Sequence, residues 1–400
     1  MVDVVITGIG VVLPGCRDRK TFWSQLSGGE PQLRLEGGPQ GTRRAVGRIP
    51  SFVPTLLSAE VSAPYLRRYT RDQLFYLESL LLARDDAGLA LDAIDPERVA
   101  IFDGTSRGPL AAFAEHDAWT LALTPGMAVG YAASMLGVRG PTYTLHGTCA
   151  SGALAAGLGL REIETGEVDV ALVTGHDAPL AESLFSWYEG AGLHSRESEN
   201  AARAVRPYGG DSGNAFGEGA VTLVLESRAH ATARGAKVLA RMAGYACGNG
   251  GAHPTQPDPE GQRGARLLTQ LLERARLPRE RVHFVVGHGN GVPLSDRSEL
   301  AGLRRFFGTR TAEIPILSTK PIYGHTLGAS AMVSLGAAAL MVHERVVAPM
   351  VNVARRSLPS EFMHLPVASA ATGPINGIVV AYGMGGQHAA LAVCDAREAA

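Results

Sequence analysis

The chain has 400 residues, 46% hydrophobic and 19% charged, with 49 glycines and a formal net charge of −1. That length exceeds a usual single core and implies two domains or one duplicated unit, and the near-neutral charge gives no electrostatic ground for bulk binding to nucleic acid or a membrane surface. Cys16, Cys149, Cys247 and Cys394 are far apart with no CxxC pair, which speaks against a secreted disulfide scaffold and a zinc site.

The first ten residues have no basic leader region and break at glycines, so they read as a strand over 4–7 and not as a signal segment. A short helix is predicted over 20–26, then a Gly-, Pro- and Arg-rich surface loop over 28–54. A long helix over 72–87, a strand over 99–102, a loop over 104–108 and an apolar helix over 124–136 follow. Tyr143-Thr144-Leu145 then runs into a sharp turn, His146-Gly147-Thr148-Cys149-Ala150-Ser151-Gly152, from which a helix leaves that is apolar on every face. The segment 168–174 is β-branched in the manner of a strand buried on both faces.

Residues 183–211 are polar, glycine-bearing and too irregular for core, which marks a functional loop. After a strand over 221–225 the order repeats: helix 264–275, strand 284–287, helix 296–307, strand 314–318, apolar helix 326–342, and strands 378–382 and 391–393. Two all-apolar helices, each behind a strand and a tight turn, imply an internal duplication and must be covered on both sides by sheets. The apolar stretch 327–342 is interrupted by serines and glycines and is shorter than a comfortable membrane span. The setting read from this is soluble, reducing and cytoplasmic, with no membrane and no nucleic acid.

A cysteine in the first turn of a helix meets unpaired N–H groups and the positive end of the dipole, which would lower its pKa and favour the thiolate. The alternative is a buried cysteine acting as a small hydrophobe. His288, in Gly287-His288-Gly289-Asn290-Gly291-Val292, and His325, in Gly324-His325-Thr326-Leu327-Gly328, stand at the same kind of place as Cys149, and Tyr382-Gly383-Met384-Gly385-Gly386 offers backbone N–H groups for an oxyanion. Any one of these histidines alone reads as a structural residue; their convergence with the thiol at strand ends points to chemistry. His388 stays open in this reading.

These stretches, with Arg206-Pro207-Tyr208, Gly217-Glu218-Gly219 and Ser318-Thr319-Lys320, resemble over nearly the whole chain a β-ketoacyl-acyl carrier protein synthase of the elongating Cys-His-His kind. The resemblance implies a thiolase-like α/β fold of five layers, α-β-α-β-α, with halves 1–229 and 230–400. It implies Cys149 as acyl-accepting nucleophile and His288 and His325 as donors to the malonyl thioester oxygen. It further implies Lys320 paired with Glu299 to hold the histidine loops, with Asp296 one turn earlier, and an oxyanion hole from the N–H groups of Cys149 and Met384. No metal or cofactor is implied beyond substrate-borne phosphopantetheine. The implied partners are an acyl carrier protein and a second ketosynthase-like chain, in a homodimer or heterodimer.

The departures are specific. Asn290 and Val292 stand where the family has threonines that hold the pantetheine arm, Met384 stands where it has a phenylalanine gate, and Gln387-His388 replaces the pair after Gly386. They leave open two other readings: a chain-length-determining partner subunit, which characteristically lacks the cysteine, and an acyltransferase or cyclase that uses Cys149 without the malonyl step. A thiolase would carry a second cysteine in the last glycine turn, and an initiating ketosynthase an asparagine in place of the second histidine.

Overall fold

The computed structural model describes residues 2–38, 41–109, 112, 122–124, 126–209, 212–251, 253 and 255–397. Pro39 and Gln40 of the loop expected over 28–54, Pro125 of the helix expected over 124–136, and Gly210 and Asp211 of the stretch expected over 183–211 lie outside them.

Strands β1 (Val4–Val12), β2 (Val99–Gly104), β3 (Thr142–Leu145), β4 (Val170–Asp177) and β5 (Gly219–Ser227) lie side by side in the order β3-β2-β4-β5-β1. Strands β6 (Ala240–Asn249), β7 (Phe284–Val286), β8 (Ile316–Leu317), β9 (Gly377–Gly383) and β10 (Gln387–Cys394) lie in the order β8-β7-β9-β10-β6. Ranked within its own set, each order reads 3-2-4-5-1, so one topology occurs twice. The sets meet edge to edge at Val5–Arg241 and Ile6–Ala240, which joins them into ten strands.

The helices complete the layers. Helix α1 (Arg71–Asp86) covers the outer face of β1, β5 and β4. Helices α2 (Ser151–Glu164), α3 (Glu182–Gly190), α4 (Gln262–Ala275), α5 (Pro293–Phe307) and α6 (Ser330–Glu344) follow in sequence. Helices α2 and α6 touch each other and strands of both sets, whereas α4 packs on β6, β10 and α5 on the opposite outside. The result is the five-layered α-β-α-β-α order expected. The segment Leu327–Glu344 is long and apolar enough to cross a membrane, more so than the sequence reading allowed, yet 89% of it is buried inside the molecule. Sheets on both sides give its apolar faces their partners.

Four regions differ from expectation. Strand β1 runs nine residues because its glycines continue it: a Cβ on Gly10 would lie 1.9 Å from the Ser79 carbonyl oxygen of α1, so the close strand–helix approach needs glycine there. The supposed surface loop over 28–54 contains a hairpin, Arg34–Gly37 with Arg43–Val46, whose Ala45 and Val46 are buried. The irregular stretch over 183–211 opens on α3, which buries Leu184, Phe185 and Tyr188. Strand β6 had no counterpart in the sequence reading.

Candidate active site

Cys149 sits in the single turn Thr148–Ala150 that joins β3 to α2. Thr148 holds a left-handed backbone (φ 51°), a conformation that costs a β-branched residue roughly 1–3 kcal/mol. The turn is fixed from both sides. The Ser151 hydroxyl accepts from Gly147 N–H at 2.9 Å and donates to the Thr148 carbonyl at 2.6 Å, and Thr148 Oγ1 donates to the Met384 carbonyl at 3.1 Å. The glycine turn after β9 can come this close because position 383 has no side chain: a Cβ there would meet Thr148 Oγ1 at 2.1 Å.

The expectation of a lowered thiol pKa is corrected. Burial pushes Cys149 up to about 11, and the Lys320 ammonium and Arg107 guanidinium offset only part of that cost. At 5% exposure the desolvation of a thiolate outweighs the help of a helix terminus. The resting group is the thiol.

Cys149, His288, Asn290, Val292, His325 and Met384 all line one cavity of about 160 Å³, together with Tyr188, Asn214 and His388. The two candidate imidazoles lie edge to face, ring centres 5.5 Å apart. Burial first, then the nearby Lys320 charge, holds both well below the ordinary imidazole pKa, so both are neutral near pH 7. For His288, Nδ1 faces the Tyr382 peptide N–H at 3.4 Å and Nε2 faces the Asn290 amide nitrogen at 3.3 Å. A neutral ring has one lone pair for these two donors, so only one of the two contacts is a hydrogen bond. For His325, Nδ1 pairs with Ser330 Oγ at 2.8 Å, and a hydroxyl that donates there leaves the hydrogen on Nε2.

Lys320 and Glu299 do not form the expected direct ion pair. They grip opposite sides of the His288 peptide: Lys320 Nζ donates to the His288 carbonyl, while Glu299 accepts from His288 N–H at 2.7 Å and Gly289 N–H at 2.9 Å. Tyr208, of the Arg206-Pro207-Tyr208 stretch, adds its hydroxyl to Glu299 at 3.1 Å and its N–H to Asp296 at 2.8 Å. Asp296 also accepts from Asn290 N–H at 3.1 Å. Burial lowers Lys320 to about 8 and raises Asp296 to about 7. Asn290 accepts from Val292 N–H through Oδ1 at 3.0 Å, and the Val292 side chain offers the cavity no polar atom.

Two supports had no signal in the sequence reading. The buried Asp177 accepts from Thr105 Oγ1, Ser106 N–H, Arg107 N–H and Gly328 N–H, tying the loop after β2 to the turn behind His325. Arg44, buried on the hairpin, pairs with both Glu182 and Glu189 and so clamps α3, with Tyr188, against the cavity. Each rests on contacts far apart in the chain. His388 packs edge-on to Tyr382 with ring centres 4.6 Å apart, on the cavity wall. Among the described residues no group of three or more His, Cys, Asp or Glu is arranged to hold a metal ion.

Against known proteins, residues 1–231 match the family model for the N-terminal domain of β-ketoacyl synthase and residues 239–354 that for its C-terminal domain. A putative polyketide β-ketoacyl synthase 1 of Streptomyces halstedii is 31% identical over 383 residues, 87% of each chain. A solved type II polyketide synthase carrier protein in complex with its ketosynthase bound to the hexaketide aligns at TM-score 0.87 and 25% identity, over 98% of this chain and 99% of that one. The ishigamide ketosynthase/chain length factor aligns at TM-score 0.85 and 26% identity, over 98% of this chain and 99% of that one.

Proposed function

The chain belongs to the β-ketoacyl synthase family, and on that premise we propose that it catalyses a decarboxylative Claisen condensation between an acyl group on Cys149 and a malonyl group on an acyl carrier protein. In the first half-reaction the Cys149 Sγ–acyl bond forms as the carrier's thioester bond breaks, and the thiol proton passes to the departing pantetheine thiol. The oxyanion that forms is held by the N–H groups of Cys149 and Met384. In the second half-reaction the malonyl C–carboxylate bond breaks, CO2 leaves and its electron pair forms an enolate with charge on the thioester oxygen; that carbonyl then re-forms as the enolate carbon makes the new carbon–carbon bond to the acyl carbon. The Cys149 sulfur departs with the electron pair of its acyl bond.

The observation that carries this reading is the shared cavity: one thiol beside two neutral imidazoles, each with one N–H to donate. Fixed neutral donors stabilise an enolate as its charge develops, without attracting the ground-state carboxylate as a cation would. Lys320, Glu299 and Asp296 then act as positioning residues for the His288 loop, and Asn290 serves the pantetheine arm where Val292 cannot. The substrates are fatty-acid-like or polyketide thioesters, with no cofactor beyond their pantetheine. The partners are a carrier protein and a second chain, identical or related, in the cytoplasm. The duplicated halves are 1–229 and 230–400.

Val292 and Met384 favour a second reading, a partner subunit that sets chain length for another synthase. The test is condensation itself: acyl carrier and malonyl carrier are incubated with the chain, alone and with a candidate companion subunit, and CO2 and 3-oxoacyl carrier are followed. The proposal expects both products, with His288→Ala and His325→Ala each lowering the rate at least ~100-fold. Acyl transfer without CO2 release would assign the chain to plain acyl transfer or cyclisation; neither product from this chain's own cysteine would leave the partner-subunit reading.

A further inference from the structure

We propose that His176, held between the carboxylates of Asp72 and Asp103, is a proton-operated lock on the active-site loops: with both ring nitrogens protonated it keeps α1 and the loop after β2 in place, and loss of that proton as the pH rises releases them. None of the three residues lines the Cys149 cavity, and the lock stands whether or not the chain condenses malonyl groups.

The three side chains are buried where α1 packs on the sheet. His176 Nε2 lies 3.2 Å from Asp103 Oδ2 of β2, and Nδ1 lies 3.6 Å from Asp72 Oδ2 of α1. A neutral imidazole has one N–H and one lone pair, so in either tautomer one carboxylate would face the lone pair; only the imidazolium serves both. Tyr76 of α1 lies flat on the ring, centres 4.9 Å apart and planes 15° apart, which suits a cation under an aromatic face. No other cation is at hand. Among the described residues neither Asp72 nor Asp103 has an Arg or Lys within ion-pair distance, and Arg71, the first residue of α1, is taken up by Glu218. Asp72 has the Thr70 hydroxyl as a further donor at 2.6 Å, whereas Asp103 Oδ1 and the Tyr76 hydroxyl are buried without partners. Burial works against the charge on His176, but the Asp103 and Asp72 carboxylates outweigh it and hold the ring above its ordinary pKa.

The next residue on β4, Asp177, carries the consequence to the site. It accepts from Thr105 Oγ1 at 2.8 Å, Ser106 N–H at 2.9 Å, Arg107 N–H at 3.0 Å and Gly328 N–H at 2.6 Å, so the loop that β2 runs into and the turn behind His325 both hang on it. Burial raises the Asp177 pKa, and the His176 charge is the largest influence opposing that rise. The ionisable groups facing the ring are therefore Asp72 and Tyr76 from α1, Asp103 from β2 and Asp177 from its own strand; β5 presents Ala220 at this level. Loss of the His176 proton acts twice. It leaves two buried carboxylates opposed with no cation between them, a costly arrangement in a dry interior, and it withdraws the charge that favours Asp177 as the acceptor for its four donors.

The test reads the proton and the loops separately. In protein labelled with 15N-histidine, the His176 ring, assigned by nuclear Overhauser contacts to the Tyr76 ring, should keep both nitrogens protonated at pH 7, above the ordinary midpoint of 6.5. Asp103→Asn, which keeps the shape and removes one charge, should lower that midpoint by at least ~1 pH unit. Hydrogen exchange of the amides over 105–108 and 326–330, corrected for the chemical exchange rate at each pH, should lose at least ~10-fold protection in wild type as the pH passes upward through the His176 midpoint. His176→Gln should show the low protection without that step. Stability follows the same sign: the folded pKa is raised, so the contribution of His176 is whole below pH 6.5 and is lost as the pH rises through the folded midpoint. The excess of the wild-type urea midpoint over that of His176→Gln should shrink across that range, and Lys320, present in both, cancels from the difference. A His176 ring that is neutral at pH 7 overturns the proposal, and so does wild-type loop protection that does not follow its titration; both are read on the wild type and hold if a variant fails to fold. Neither readout uses a substrate, so a chain that does not condense leaves the proposal to stand or fall on these results alone.

Discussion

Cys149 shows how competing effects at one residue are decided by magnitude. A helix terminus contributes at most about 2 kcal/mol, while burial at 5% exposure drives the thiol to about 11 against two nearby cations. The rate of Cys149 alkylation by iodoacetamide should therefore keep rising through pH 9–10; a plateau below pH 8 would show a thiolate already formed. Lys320 adds a linked effect. Its pKa falls from 10.5 to about 8 on folding, so between those values the unfolded chain binds more protons and stability from this group rises with pH. Lys320→Met should remove that rise in urea unfolding midpoints, and an unchanged pH slope would contradict the placement. The thiol, both imidazoles and the glycine turn were legible because each is a chain-local signature. That Lys320 grips the His288 carbonyl and not Glu299 was not, because it depends on how two distant loops meet.

At the level of elements, the site depends on surfaces that come within contact distance only because side chains are missing or paired. Gly383→Ala places a Cβ against Thr148 Oγ1 and the Gly147 carbonyl, at 2.1 and 2.6 Å. The variant should keep its circular dichroism and lose condensation by about 100-fold or more as the Met384 N–H is displaced; full activity would remove that N–H from the oxyanion hole. Arg44→Met leaves Glu182 and Glu189 without their cation. It should cost about 1–3 kcal/mol in denaturant unfolding and slow Cys149 acylation as α3 loosens; unchanged stability would show that packing of Phe185 and Tyr188 holds the helix by itself. The long amphipathic and all-apolar helices were readable from periodicity. The hairpin around Arg44 and helix α3 were not, since the hairpin strands run four residues and α3 nine, too short for a periodic pattern, and the two are held by each other through Arg44.

For the whole molecule, the repeated 3-2-4-5-1 strand order explains why thiol and imidazoles converge: they leave corresponding ends of two similar units that face each other across α2 and α6. The duplication was visible as two all-apolar helices, whereas the pairing of β1 with β6 that joins the units was not, because β6 has no strand signature and meets β1 over two residue pairs. Among the described residues the outer edge of β3 pairs with no other strand, and Tyr143 there is 54% exposed, an edge of the kind that another chain covers. Light scattering should give about twice the 41.9 kDa chain mass, alone or with a companion subunit, and Tyr143→Asp should shift it towards monomer; a monomer in both cases would contradict the pairing. The central claim, an acyl-enzyme on Cys149, is tested most directly by intact mass after incubation with acyl carrier thioesters, wild type beside Cys149→Ala. A gain equal to the acyl group in wild type and none in the variant is the expected result. A gain that persists in the variant, or none from any acyl group even with a companion subunit present, would contradict the account.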